Sequence, residues 1–235
     1  MIGEITLNGK SSRDFNVYLT DAGIYVAPER DVETIAIDGR NGELIIDNER
    51  YKNAPHSFSC IIPQNFDTNY SAFINYLLNQ PGYIRVEDSF KPEEFILARL
   101  KNEINPNVKT SGIGGTFKLE FDRKPQRFMK IGEMPVEYTS SGSIYNKYDG
   151  TALPLVRVYG TGQLTINTTT IIINSVNEYV DIDCEIQDAY KGTTNCNGNI
   201  TLSNNRFFEL KPGITNFTIG NGISKIRITP RWWRL

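Results

Sequence analysis

The chain of 235 residues has one histidine, three cysteines and no uninterrupted apolar run near the length of a membrane span. The single imidazole, His56, excludes paired-histidine zinc motifs and leaves one candidate imidazole base. Cys60, Cys184 and Cys196 are odd in number and form no Cys-x-x-Cys. Neither a disulfide framework nor a four-ligand metal site is therefore expected, and buried thiols are. An excess of one charge is also missing: 25 basic residues stand against 27 acidic ones, without the basic field of an electrostatic nucleic-acid binder. Met1-Ile2-Gly3-Glu4-Ile5-Thr6 lacks the basic start and apolar stretch of a signal peptide, so a soluble, unexported chain is expected. The glycosylation-like triplets at Asn69, Asn167, Asn199 and Asn216 carry little weight among 23 asparagines.

What the sequence has is two-residue alternation. Ile5 and Leu7, then Phe117, Leu119 and Phe121, then Ile226 and Ile228 each alternate with polar residues. In extended chain, neighbouring side chains point to opposite faces, so each run reads as a strand with one buried side. Asn8-Gly9, Asp38-Gly39, Asn41-Gly42, Asp149-Gly150, Asn197-Gly198 and Asn221-Gly222 supply residues that tolerate the positive φ of hairpin turns. The pattern predicts an all-β chain of the sandwich or barrel class. One segment departs from it. Tyr70, Phe73, Ile74 and Leu77 fall at helical spacing, with Asn69 as N-cap and Pro81-Gly82 as the stop, predicting one short helix over 69–79. A break through Gly132-Glu133-Met134-Pro135 predicts two domains, 1–133 and 134–235, the second with strands at Leu155–Tyr159, Gln163–Asn167, Thr170–Ile173 and Tyr179–Ile186.

Several clusters invite chemistry and each has a plainer reading. Asp181, Asp183 and Glu185 alternate onto one strand face, the spacing of an acid/base pair or a cation site. Val180, Ile182, Cys184 and Ile186 occupy the other face and no calcium-type loop surrounds them, so a solvated face is expected. Ser111-Gly112-Ile113-Gly114-Gly115 lacks the following helix a phosphate loop needs and leads instead into the strand Thr116–Asp122. His56 shares a strand alternation with Phe58 and Cys60 and reads as structural. No catalytic residue, metal or cofactor is expected. Trp232 and Trp233 close the chain between arginines; one should pack inward and the other be partly exposed or covered by a neighbouring subunit.

The segment Ala27 to Lys52 reads as a charged hairpin: Asp31 to Asp38, a double turn through Arg40 and Asn41, and Glu43 to Asp47 returning. Its mixed charges, Arg30, Asp31, Glu33, Asp38, Arg40, Glu43 and Arg50 among them, suit either a solvated ribbon or an arm that sets register on a neighbouring subunit.

Taken in order, four motifs resemble the distal tail protein family of long-tailed phages with a non-contractile tail, the siphophages. They are the hairpin Val32 to Leu44; Phe117 to Phe128; Ala152-Leu153-Pro154 with Gly160-Thr161-Gly162; and Ile226 to Trp233. The resemblance spans essentially the whole chain. It implies an N-terminal β-sandwich with a helix and a protruding belt hairpin, followed by a galectin-like β-sandwich. It further implies a homo-hexameric ring in which Arg30, Asp31, Glu33, Asp38, Arg40, Asn41, Glu43 and Arg50 grip the next subunit. Such a ring joins the tail tube protein to the tail-tip protein in the virion, is assembled in the host bacterial cytoplasm, and passes DNA through its channel without specific binding. The resemblance also allows rings of isolated protein to pair. No membrane is involved, and the role is non-enzymatic. The second domain, about 100 residues long, has little room beyond one small sandwich for an inserted arm that would carry receptor-binding proteins. Two other classes compete: a non-catalytic carbohydrate-binding module recognising host cell-wall glycan, and a glycan hydrolase built on Asp181, Asp183 and Glu185.

Overall fold

In the computed structural model, which describes residues 2–101, 103–109 and 113–235, the alternating runs are strands whose apolar members face a core. Ile5, Leu7, Phe117, Leu119, Phe121, Ile226 and Ile228 are all buried. The described residues are mainly β with one α-helix, in two units: Met1–Arg127 with Leu235, and Phe128–Arg234.

In the first unit the sheet order is Lys10–Ser11, Ile5–Leu7, Ile84–Asp88, Glu94–Leu100, Gly115–Met129, Ala54–Ile62 and Tyr18–Leu19. Leu19, on the last of these strands, exchanges both backbone hydrogen bonds, at 2.9 Å, with Gly3, which leads into Ile5–Leu7 near the other end of the order. The sheet thus curls around the core it covers, leaving fewer edges that could recruit foreign strands. Asn8 and Gly9 take the positive φ values, 47° and 84°, of a two-residue hairpin between Ile5–Leu7 and Lys10–Ser11. The helix Phe66–Leu78 covers this core with Phe66, Phe73 and Leu77. It starts one turn before the predicted Asn69: Asn65 holds the N-cap position, and its carbonyl accepts from the Asn69 N–H at 3.1 Å. Phe66 lies four residues before Tyr70 and stacks on it at 5.1 Å, so the true helix face is one position longer than the apolar run suggests.

The second unit is a sandwich of two sheets. One has the order Val136–Tyr138, Ile223–Thr229, Leu155–Gly160, Tyr179–Asp183, Asp188–Lys191 and Thr194–Asn195. The other has the order Gly142–Asn146, Gly213–Ile219, Gly162–Ile166, Thr169–Ile173 and Ile200–Leu202. Val156, Val158, Val180 and Ile182 from the first share a core with Leu164, Ile166, Ile171 and Phe217 from the second. The chain switches sheets twice at one spot, through Gly160-Thr161-Gly162 and through Gly220-Asn221-Gly222. The two corners are nested. A Cβ on Gly160 would stand 2.2 Å from the Gly222 carbonyl oxygen, and one on Gly222 would stand 2.3 Å from that of Thr161. Only glycine fits, and its φ of 99° at position 160 already favours glycine.

Candidate functional site

The segment between residues 27 and 52 is the one part of the first unit whose strands join no other sheet among the described residues. Arg30–Ala36 and Glu43–Tyr51 pair antiparallel, Ala36 opposite Glu43, as a two-stranded sheet of their own. The return strand runs past the expected Asp47 to Tyr51. The register shifts between Arg30 and Val32, where Glu49 adopts φ 56° and donates its N–H to Asp47 Oδ1 at 2.8 Å. This bulge twists the base of the arm.

Charges divide along its length. At the base, Arg30 Nε meets both Asp47 oxygens at 2.9 Å and its guanidinium lies 5.0 Å over the Tyr51 ring. Those hydrogen bonds hold Asp47 below the ordinary carboxylate range and raise Arg30. Arg50 meets Asp31 at 2.6 Å, and Lys52 lies 3.7 Å from Glu29. Towards the tip, Glu33, Asp38, Arg40, Asn41 and Glu43 are exposed and their side chains have no hydrogen-bond or ion-pair partner among the described residues. Three of the eight arm residues singled out from sequence, Arg30, Asp31 and Arg50 at the base, therefore hold each other, or Asp47, in place; Glu33, Asp38, Arg40, Asn41 and Glu43 are left open.

The sequence reading, drawn to the charges, missed the apolar side of the arm. Ile35 stands opposite Leu44 and Glu33 opposite Ile46, so Ile35, Ile37, Leu44 and Ile46 line one face. All four are 40–46% exposed, and Ile45, on the reverse face, is 65% exposed. The signal was present in the alternation Ile35-Ala36-Ile37 and Leu44-Ile45-Ile46.

The root of the arm is fixed by a buried cation. Arg123 is fully buried and donates to the carbonyls of Lys124 and Pro125, each at 2.9 Å, and to that of Val26 at 2.8 Å. Its guanidinium stands 4.2 Å from the Tyr25 ring and that of Arg127 stands 4.5 Å away. His56 packs beside them, its ring 4.5 Å from that of Phe58, with neither nitrogen hydrogen-bonded among the described residues. Burial, reinforced by the charges of Lys91 and Arg123, pushes its pKa down to about 4. The imidazole is neutral at ordinary pH and makes no contact that a catalytic base needs.

The other sequence candidates are structural in the positions they occupy. Asp181, Asp183 and Glu185 do not form the expected solvated face: Asp181 and Asp183 are buried, each against an arginine brought over by a neighbouring part of the unit. Arg157 grips Asp181 at 2.7 and 2.8 Å, and Arg231 grips Asp183 at 2.6 and 2.8 Å. Burial acts to raise Asp183, but the hydrogen bonds and charge of Arg231 outweigh it and its carboxyl sits low. The strand ends at Asp183 rather than Ile186; Gln187 turns the chain with φ 56°, and Ile186 is exposed. Trp232 lies in the core of its unit at 7% exposure, while the half-buried Trp233 donates its indole N–H to the Thr151 carbonyl at 3.0 Å. Cys60 and Cys184 are buried, and burial raises both thiols, Cys184 to about 12. Of the glycine loop, Ser111 and Gly112 lie outside the described residues, and the strand Gly115–Met129 follows it.

No family model and no curated protein sequence matches the chain. Solved structures do. The Dit protein (gp 19.1) of phage SPP1, described as a hub of the adsorption apparatus of phages infecting Gram-positive bacteria, superposes with a TM-score of 0.72. That match has 13% identity and covers 96% of this chain and 97% of that one. The chain has the Dit fold. The baseplate of phage P2 in its calcium-activated conformation also matches, with TM-score 0.52 and 11% identity over 100% of this chain and 99% of the other. Its strontium-activated counterpart gives 0.51 and 11% over 96% and 97%. Similarity at this level of identity resides in the backbone and its packing.

Proposed function

We propose that this chain is a non-enzymatic structural component of a phage tail tip, a Dit-like hub whose N-terminal domains, residues 1–133, close into a six-membered ring. In this reading the arm of each subunit seats its Ile35, Ile37, Leu44 and Ile46 face on the next subunit, while Glu33, Asp38, Arg40, Asn41 and Glu43 set the register. The ring joins the tail tube protein to the tail-tip protein in the virion, after assembly in the host bacterium, and leaves a channel for DNA. The galectin-like second domain, residues 134–235, faces the remaining tail partners.

The observation that carries this reading is the arm itself. A two-stranded sheet with four half-exposed aliphatic residues on one face is a poor free-standing structure and a good half of an interface. A head-to-tail contact of arm on body is heterologous, and such contacts close into rings when the rotation permits. The Dit fold supplies the setting.

Light scattering coupled to size exclusion tests it. Six copies of the 26.6 kDa chain weigh about 160 kDa, and a paired ring about 320 kDa. Either mass, falling to monomer when Asp38–Glu43 is deleted, is the expected result. A monomer that stays monomeric with the tail-tip protein added overturns the proposal.

A further inference from the structure

The second unit holds an open cleft of about 270 Å³ between the strand Tyr179–Asp183 with the turn before it and the edge strand Thr194–Asn195 with the turn after it. Five of its ten lining residues carry neutral hydrogen-bonding side chains: Ser175, Asn177, Thr194, Asn195 and Asn199. No carboxylate lines it. Its single cation, Lys191, is already committed, with Nζ 2.6 Å from the Asn177 carbonyl and 2.9 Å from Glu178. The cleft thus has no free charge with which to select an anion or a cation.

The walls are held in place. Asn199 donates to the Ser175 carbonyl and hydroxyl, both at 3.1 Å, tying one side of the cleft to the other. The Asn195 side-chain oxygen Oδ1 accepts from the Asn197 N–H at 3.0 Å, which fixes the orientation of that amide. The half-buried Val176 adds an apolar surface, while Val180 is buried. The Tyr179 ring already has two cations packed against it, Arg157 at 4.0 Å and Lys191 at 5.1 Å.

We propose that this cleft binds one neutral sugar ring. The Asn177 amide and the Thr194 and Ser175 hydroxyls, which can both donate and accept, suit adjacent ring hydroxyls, and Val176 suits the apolar C–H edge of a pyranose. A volume of about nine water molecules at roughly 30 Å³ each accommodates a single ring and not a buried chain of them. The site is independent of the hub reading, whose test is solution mass and does not involve these residues.

Cys196 lines the cleft and is half-buried, whereas Cys60 and Cys184 are buried, so a small maleimide should react first at Cys196. The test measures that alkylation rate on the full chain with glucose, galactose or N-acetylglucosamine present, and with glucuronate and glucosamine as charged counterparts. At about 100 mM sugar, a Kd of about 10 mM leaves about one site in eleven open, so the rate should fall about tenfold. Protection by a neutral sugar, weaker for the charged ones and lost in both Ser175→Trp and Thr194→Trp, is the expected result. No slowing by any neutral sugar, or equal slowing by the charged ones, overturns the proposal.

Discussion

His56 gives the sharpest test of the electrostatics at the arm's root, because it is the only histidine in the chain and its imidazole resonance can be followed without assignment. It is 3% exposed, surrounded by Tyr25 and Phe58, with Lys91 and Arg123 opposing its protonation and Glu94 favouring it. Its pKa in the fold is about 4 against 6.5 when free. The unfolded chain therefore binds the extra proton first as pH falls, so stability is intact above about pH 6.5 and is lost on the way down to 4. Lowering pH from 7.5 to 5 should cost about 2 kcal/mol from this group alone, from the ratio of the two protonation polynomials. Proton NMR should show no titration of the imidazole above about pH 5. Urea unfolding at the two pH values should then show the loss in the wild type and about 2 kcal/mol less of it in His56→Leu. Because neither nitrogen is hydrogen-bonded, that substitution leaves no partner behind. An NMR midpoint near 6.5, or an equal pH loss in His56→Leu, would refute the reasoning.

Other consequences are as direct. Arg123→Met removes the donor to three carbonyls and should lower stability by about 3 kcal/mol in urea titration; a loss under about 1 kcal/mol would mean that solvent reaches those carbonyls. Gly160→Ala puts a methyl group against the Gly222 carbonyl and should cost about 3 kcal/mol or more, read as a lower thermal midpoint of the second unit's tryptophan signal. Asp183→Asn leaves the Arg231 charge partly uncompensated and should cost about 2 kcal/mol, by the same tryptophan signal. Leu44→Ser with Ile46→Ser leaves the monomer fold unchanged by circular dichroism but should weaken each subunit contact by about 2 kcal/mol, shifting ring mass towards monomer on dilution.

Much of this fold is legible in two-residue alternation, and the reasons for the exceptions are physical. Ile5–Leu7 and Ile223–Thr229 read correctly because each has one wet and one dry face. Asp181 and Asp183 misled for the opposite reason: charge in sequence suggests water, yet Arg157 and Arg231, 24 and 48 residues away, let both carboxylates be buried. No local pattern carries that pairing. Asn69 misled because an asparagine at the start of an apolar run looks like a cap, while the real first turn is set by Phe66 reaching the core. In the arm, the charges announced an unusual hairpin, and the alternating isoleucines beside them were the part that stayed without a core. Gly222 reads as a turn residue and Gly160 only as part of a family motif; their contact across the fold can only be seen once the two corners are built.

The arm has a kinetic meaning as well as a geometric one. Among the described residues its strands pair only with each other, so opening it breaks no strand pairing in the sheet that wraps the first core. Its amides should exchange with solvent on a separate and faster clock than those of Ala54–Ile62 or Gly115–Met129. Once a neighbour covers the aliphatic face, that clock should slow to the rate at which subunits part. Deuterium uptake at residues 30–51 would then count occupied contacts one at a time, and an incomplete ring would be visible as a mixture of fast and slow arms.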